Sequence, residues 1–179
     1  MNTYDTLLIS SPASHVVQIT LNRPDFANAF NTQMALDLVD VFESLSMDPS
    51  ETRAIILTGS GTRAFCAGGD LKERNGMSNA AWSKQHLIYE RMARAVITCP
   101  IPVIGAINGA AYGGGCELAA AVDFAYVAHG ARLAQTEVKI GIIPGAGGTQ
   151  TLARAIGERR AKELILTGEV FTAEQALDW

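Results

Sequence analysis

Cysteine is scarce in this 179-residue chain, with Cys66, Cys99 and Cys116 the three present. Their number and irregular spacing exclude a disulfide framework and a zinc site, and they read as reduced thiols of a cytoplasmic protein. Basic residues are also few: 14 Lys and Arg stand against 18 Asp and Glu, for a net charge of −4. They form no cluster. Binding a phosphate backbone needs a basic stripe, so no nucleic-acid partner is expected. A small anion needs only a few amides and one or two cations, and stays compatible. Nowhere do 18 apolar residues run together, so no membrane span is expected. Met1-Asn2-Thr3-Tyr4-Asp5 lacks both the basic start and the apolar stretch of a signal peptide.

Several nucleotide and nucleophile motifs are missing too. No segment fits G-x-x-x-x-G-K-[ST], so there is no P-loop. Gly113-Gly114-Gly115 and Gly145-Ala146-Gly147-Gly148 do not complete G-x-G-x-x-G, and neither sits at the first strand-to-helix turn. Ser60 in Gly59-Ser60-Gly61 lacks the G-x-S-x-G frame of a nucleophile elbow. His15, His86 and His129 lie far in sequence from the glycine-rich segments and read as structural, which leaves Ser-His-Asp chemistry without support.

What is present is an ordinary globular balance, 48% hydrophobic and 18% charged, in a chain the size of one domain. That length buries roughly 70% of the unfolded surface. Residues 4–10 and 15–21 read as a hairpin turning at Ser11-Pro12-Ala13-Ser14. A helix from about residue 31 presents Met34, Leu38, Val41, Phe42 and Leu45 on one face, the spacing of a core-facing helix. Arg53 to Thr58 is a buried strand. A second long helix runs from about Ser78 to Thr98, with Gln85, Tyr89, Met92 and Val96 on one side, and Cys99-Pro100-Ile101-Pro102 ends it. Val103 to Ile107, Phe124 to Ala128 and Arg132 to Ala134 are short strands, Gly113 to Val122 is a short apolar helix, and from Gly147 the pattern is helical again. Alternating strands and helices without a linker or repeat predict one α/β domain over residues 1–179. The chain stops at Ala176-Leu177-Asp178-Trp179, inside a helix begun at Thr172 and without a stop signal, the pattern expected of a truncation.

Two glycine-rich segments could carry chemistry. In Ala64-Phe65-Cys66-Ala67-Gly68-Gly69-Asp70-Leu71-Lys72, successive small residues let a ligand approach the main chain, where an exposed N–H can stabilise an oxyanion. The same text is compatible with a tight turn in which Asp70 is a cap. In Asn108 through Leu118, Gly113-Gly114-Gly115 open an apolar helix whose first amides lack intrahelical partners. Close helix–strand packing would also require glycine there. Glu117 begins that helix, where burial would shift its pKa and the helix dipole would equally suit a carboxylate. Glu137 begins the loop to Gln150 and, taken singly, reads as a surface acid.

Together these segments resemble the enoyl-CoA hydratase/isomerase (crotonase) family. The resemblance rests on Leu21-Asn22-Arg23-Pro24 with Asn28-Ala29, Ala64 through Lys72, Pro102 through Leu118, and Ile143 through Gln150 with Leu166-Thr167-Gly168. It implies a crotonase-like spiral of ββα units, with the C-terminal helical region truncated. It also implies an oxyanion hole from the N–H groups of Gly69 and Gly114, and catalytic glutamates at Glu117 and Glu137. Coenzyme A as part of a thioester substrate would lie along Ala27, Ala67, Gly68, Gly69, Asp70, Leu71 and Gly114. No metal or separate cofactor is implied. The implied reaction is hydration of 2-enoyl-CoA, with isomerisation or simple CoA-thioester binding as alternatives. The implied assembly is a homo-trimer or hexamer when the C-terminal region is present. Gly69 stands where the family often has alanine, and Thr136 where proline commonly precedes the second glutamate.

Overall fold

Short aliphatic runs broken by Gly, Pro and Asp set out the strands of this structure, a computed structural model that describes residues 3–179. Strands β1 (Leu7–Ala13) and β2 (Val16–Leu21) form the expected antiparallel hairpin. Its turn falls at Ser14-His15, later than the sequence pattern placed it, because His15 adopts a left-handed conformation (φ 63°) that reverses the chain there. Pro12 stays within β1, an edge strand, where the register is irregular between Ser10 and Ala13 and no ladder N–H is needed.

Helix α1 (Thr32–Met47) starts where the Asn31 side chain accepts the Met34 N–H. It is followed by β3 (Ala54–Gly59), β4 (Ala64–Cys66), the single turn α2 (Leu71–Arg74) and α3 (Asn79–Ile97). Ser78 caps α3 and Thr98 closes it just before Cys99-Pro100. Next come β5 (Val103–Ile107), β6 (Ala110–Tyr112), α4 (Gly114–Ala121), β7 (Phe124–Val127) and β8 (Arg132–Ala134). A 3-10 turn at Glu137–Ile140 leads to α5 (Gly148–Ile156), α6 (Glu158–Thr167), β9 (Phe171–Thr172) and α7 (Ala173–Asp178).

The strands divide between two sheets, ordered β1-β2-β3-β5-β7 and β4-β6-β8-β9. Successive strand pairs β3/β4, β5/β6 and β7/β8 each place their first member in one sheet and their second in the other. Each pair is followed by helix, and like members run parallel. That is the spiral of ββα units expected from the resemblance.

Phe30, Met34, Leu38, Phe42, Leu57, Phe65, Met92 and Leu118 are fully buried within one contiguous core cluster. Each such side chain contributes roughly 1.5–3 kcal/mol by leaving water. The expected stripe on α1 faces that core, with Leu45 only partly covered, and Gln85, Tyr89, Met92 and Val96 form the buried side of α3. Among the described residues no helix is long and apolar enough to cross a membrane.

One consequence of the topology positions the site. Strands β4, β6 and β8 are parallel neighbours, so their C-terminal ends share one edge of the sheet. The chain leaving those ends is Ala67–Asp70, Gly113–Gly115 and Gln135–Glu137.

Candidate active site

At this edge the two glycine loops touch. Gly113 has φ 53° and ψ −123°, a conformation open to glycine alone, and it donates its N–H to the Ala134 carbonyl at 2.8 Å. The next two glycines are needed for space. A Cβ on Gly114 would lie 2.4 Å from Phe30 Cζ, and one on Gly115 would lie 2.0 Å from the Cys66 carbonyl oxygen. A Cβ on Gly68 would fall 3.0 Å from the Gly114 nitrogen, so the first loop rests against the start of α4.

Phe30 and Gly69 form a parallel bridge. The Phe30 N–H donates to the Gly68 carbonyl and the Asp70 N–H donates to the Phe30 carbonyl, each at 2.9 Å. In such a bridge the Gly69 N–H itself faces away from Phe30. Neither it nor the Gly114 N–H donates to a protein acceptor among the described residues. Tyr89 steadies Phe30 through a hydrogen bond to its carbonyl (3.0 Å) and an edge-to-face ring contact of 4.8 Å.

Glu117, in the first turn of α4, is 3% exposed. Burial pushes its pKa above the ordinary carboxylate value. Opposing that, Oε1 accepts the N–H groups of Ala146 (2.8 Å) and Gly148 (2.7 Å), the second of which opens α5. A nearby His86 also favours the ionised form. Glu137 is 7% exposed rather than a surface acid. Burial pushes its pKa up to about 7, and the charge of Glu117 adds to the rise. Fully buried Gln135, with its amide oriented to satisfy both ends, donates to the Glu137 oxygens at 3.2 and 3.3 Å.

Both glutamates and both glycine loops open onto one cleft of about 650 Å³. Its far wall is Trp82, His86 and Tyr89 of α3 together with residues 140–146. Ala67, Gly68, Gly69, Leu71, Gly114, Glu117 and Glu137 line it, whereas Ala27 and Asp70 do not. The Ala27 carbonyl instead accepts the Ala67 N–H at 3.0 Å. Asp70 is the cap that a tight turn would use: its carboxylate accepts the Lys72 and Glu73 N–H groups and pairs with Arg23 at 3.0 Å. Although burial works against its charge, Arg23 and these amides hold the Asp70 carboxyl below its usual value. These two residues shape the first loop from behind.

His86 departs from the expectation drawn from sequence distance, since α3 brings it to the cleft beside Gly145. Nothing in the local sequence marks Arg74, Trp82 or Gln135 as part of the site. Trp82, His86 and Tyr89 do recur at helical spacing, which marks a shared face but says nothing of what the face meets. A second cleft, of about 550 Å³ between α4, β7, α5 and α7, contains neither glycine loop nor the glutamate pair. Among the described residues no three His, Cys, Asp or Glu side chains converge as a metal site requires.

The family model described as enoyl-CoA hydratase/isomerase matches residues 12–179. A crystal structure of an enoyl-CoA hydratase from Bacillus anthracis superposes with a TM-score of 0.94 at 43% identity, covering 97% of this chain and 67% of that one. A short-chain-enoyl-CoA hydratase of Clostridium acetobutylicum is 40% identical over 162 residues, 90% of this chain and 62% of that protein. An enoyl-CoA isomerase/hydratase of Zymoseptoria tritici is 43% identical over 177 residues, 96% of this chain and 58% of that protein. The chain spans 58% to 66% of the length of the curated relatives it matches. With this fold, this site and a match over nearly its whole length, the chain belongs to the enoyl-CoA hydratase/isomerase family.

Proposed function

We propose that the protein hydrates 2-enoyl-CoA thioesters to 3-hydroxyacyl-CoA. One observation carries the reading: two unpartnered N–H groups, from Gly69 and Gly114, border the same cleft as two buried carboxylates in unlike environments. The two N–H groups grip the thioester oxygen and stabilise the enolate that forms when water adds to the conjugated double bond. One such donor is worth roughly 2.7–4 kcal/mol of barrier. CoA follows Ala67 to Leu71 as part of the substrate, and Ala27 and Asp70 hold that loop in shape.

The glutamates divide the proton work. Glu117, whose oxygen accepts two amide N–H groups, is the better carboxylate and takes a proton from the attacking water. Glu137, raised to about 7, is the better acid and gives a proton to Cα. Water thus supplies OH to Cβ while Glu137 supplies H to Cα, and the proton gained by Glu117 resets the pair. The two titrate as a coupled unit, and by microscopic reversibility each reverses its role in dehydration. The reaction so written uses the polypeptide and the substrate alone. The protein is proposed to act in the cytoplasm as a homo-trimer or hexamer, without nucleic-acid or membrane partners.

The test follows the loss of enoyl-thioester absorbance when the full-length polypeptide meets crotonyl-CoA. Glu117→Gln is expected to lower kcat by roughly 10²–10⁴-fold, the range of general acid–base catalysis. No turnover by the unsubstituted protein overturns the hydratase reading. Double-bond migration in a 3-enoyl-CoA without hydration assigns it instead to isomerisation, and acyl-CoA binding without either reaction assigns it to thioester binding.

A further inference from the structure

Gly145 lies in the loop between the 3-10 turn and α5, and its backbone is not in the left-handed region that calls for glycine. Space calls for it. A Cβ built on Gly145 would meet His86 Cε1 at 2.6 Å, with Nδ1 at 3.5 Å and Nε2 at 3.6 Å. The loop therefore lies directly on the edge of the imidazole. That ring is fixed on its own helix, stacked on Trp82 with centroids 5.0 Å apart and planes 9° apart, and its Nε2 is 3.3 Å from Glu90 Oε1. Immediately beyond Gly145 come the two groups that hold Glu117, the N–H of Ala146 and the N–H of Gly148. Contact thus runs from Trp82 through His86 and the loop to the carboxylate.

We propose that His86 is a positioning residue for Glu117: its ring is the rest on which Gly145 lies, and so sets the two N–H donors just beyond it that aim the carboxylate. It acts through the loop it supports, beside the charge by which it favours the ionised form of Glu117, and touches no reacting atom. The inference rests on the assignment of Glu117 to water activation, but its structural half can be read without turnover.

The experiment compares His86→Ala, His86→Phe, Gly145→Ala and the double variant Gly145→Ala/His86→Ala. The first readout is amide hydrogen exchange at Ala146 and Gly148, with α4 amides as the internal reference. Removing the ring is expected to speed exchange at both amides by about 10-fold or more, relative to α4, through local opening. His86→Phe keeps a ring on Trp82 and beneath Gly145, so exchange is expected to stay within about 3-fold of the parent. Gly145→Ala pushes a methyl into the ring and speeds exchange. In the double variant the methyl takes the vacated space, and exchange is slower than in Gly145→Ala alone.

The second readout is crotonyl-CoA hydration. His86→Ala is expected to lower kcat about 10-fold or more with KM within about 3-fold, because misplacing a group by about 1 Å can cost 10²-fold. Equal acceleration of exchange at Ala146 and Gly148 in His86→Phe and His86→Ala overturns the proposal. So does unchanged exchange in His86→Ala, acceleration shared equally by the α4 amides, or strictly additive effects in the double variant. Absence of turnover by the unsubstituted protein would refute the hydratase reading alone, and the exchange data would still decide the role of His86.

Discussion

Replacing Glu137 by Gln tests the electrostatics of the cleft through stability, before any substrate is added. The folded protein raises this carboxyl from 4.5 to about 7, chiefly by burial. Below about pH 4.5 the side chain is neutral in both folded and unfolded chains, and its titration has no effect on stability. Between about 4.5 and 7 the unfolded chain loses the proton while the fold retains it, so stability falls as pH rises. Above about 7 the full penalty is present. At about 1.4 kcal/mol per pH decade that penalty has a ceiling of roughly 3 kcal/mol. Solvent in the open cleft reduces it to about 1–2 kcal/mol. Gln keeps the shape, still accepts from Gln135 and never ionises. Thermal unfolding is therefore expected to show Glu137→Gln close to the parent at pH 4.5 and more stable by about 2–8 °C at pH 8. A gain of equal size at both pH values, or a loss at pH 8, would refute the reasoning.

Three further expectations concern the loops. Gly69→Ala would place its Cβ at ordinary contact distance, 3.4 Å from Tyr89 and 3.7 Å from Phe30, and retains the N–H. Its Tm and kcat should match the parent. Gly114→Ala collides with Phe30 at 2.4 Å and should cost about 1–3 kcal/mol by overpacking, read as a lower denaturation midpoint together with a lower kcat. Asp70→Asn keeps a capping side chain but leaves Arg23, 14% exposed, without its ion partner. Roughly 3 kcal/mol should be lost at neutral pH. Because the Asp70 carboxyl is held below its usual value, that difference should shrink as pH falls through its folded pKa, and chemical denaturation at pH 7 and pH 3 checks it.

Much of the architecture was legible from residue pattern. The apolar spacing of Met34 to Phe42 predicts α1 to within a residue or two, and Ser78 and Cys99-Pro100 bracket α3 as caps and breakers should. Local signals of that kind depend on neighbours within a turn or two of chain. The three-residue strands β4 and β6 and the two-residue β9 have no such signal, because a short strand exists only when its partner is present. The hairpin turn lies later than the residue pattern predicts for a related reason: Pro12 has the character of a breaker, but β1 is an edge strand that tolerates it.

The site divides in the same way. Glycine loops and carboxylates could be found as text, and their order supported one family. Whether Gly114 and Gly115 serve packing or an oxyanion could not be separated, and the structure makes the choice unnecessary, since the glycines needed for contact with Phe30 and Cys66 also leave the Gly114 N–H free. Residue types and local spacing determined the helices, the hairpin and the candidate groups, since those follow from short-range periodicity and backbone preference. Tertiary structure alone decided that Glu137 is buried, that Asp70 faces Arg23 rather than the cleft, and that His86 lies beside the loop holding Glu117. Those outcomes depend on parallel strands bringing together segments up to some seventy residues apart, and desolvation by such neighbours, rather than residue type, sets what a carboxylate can do.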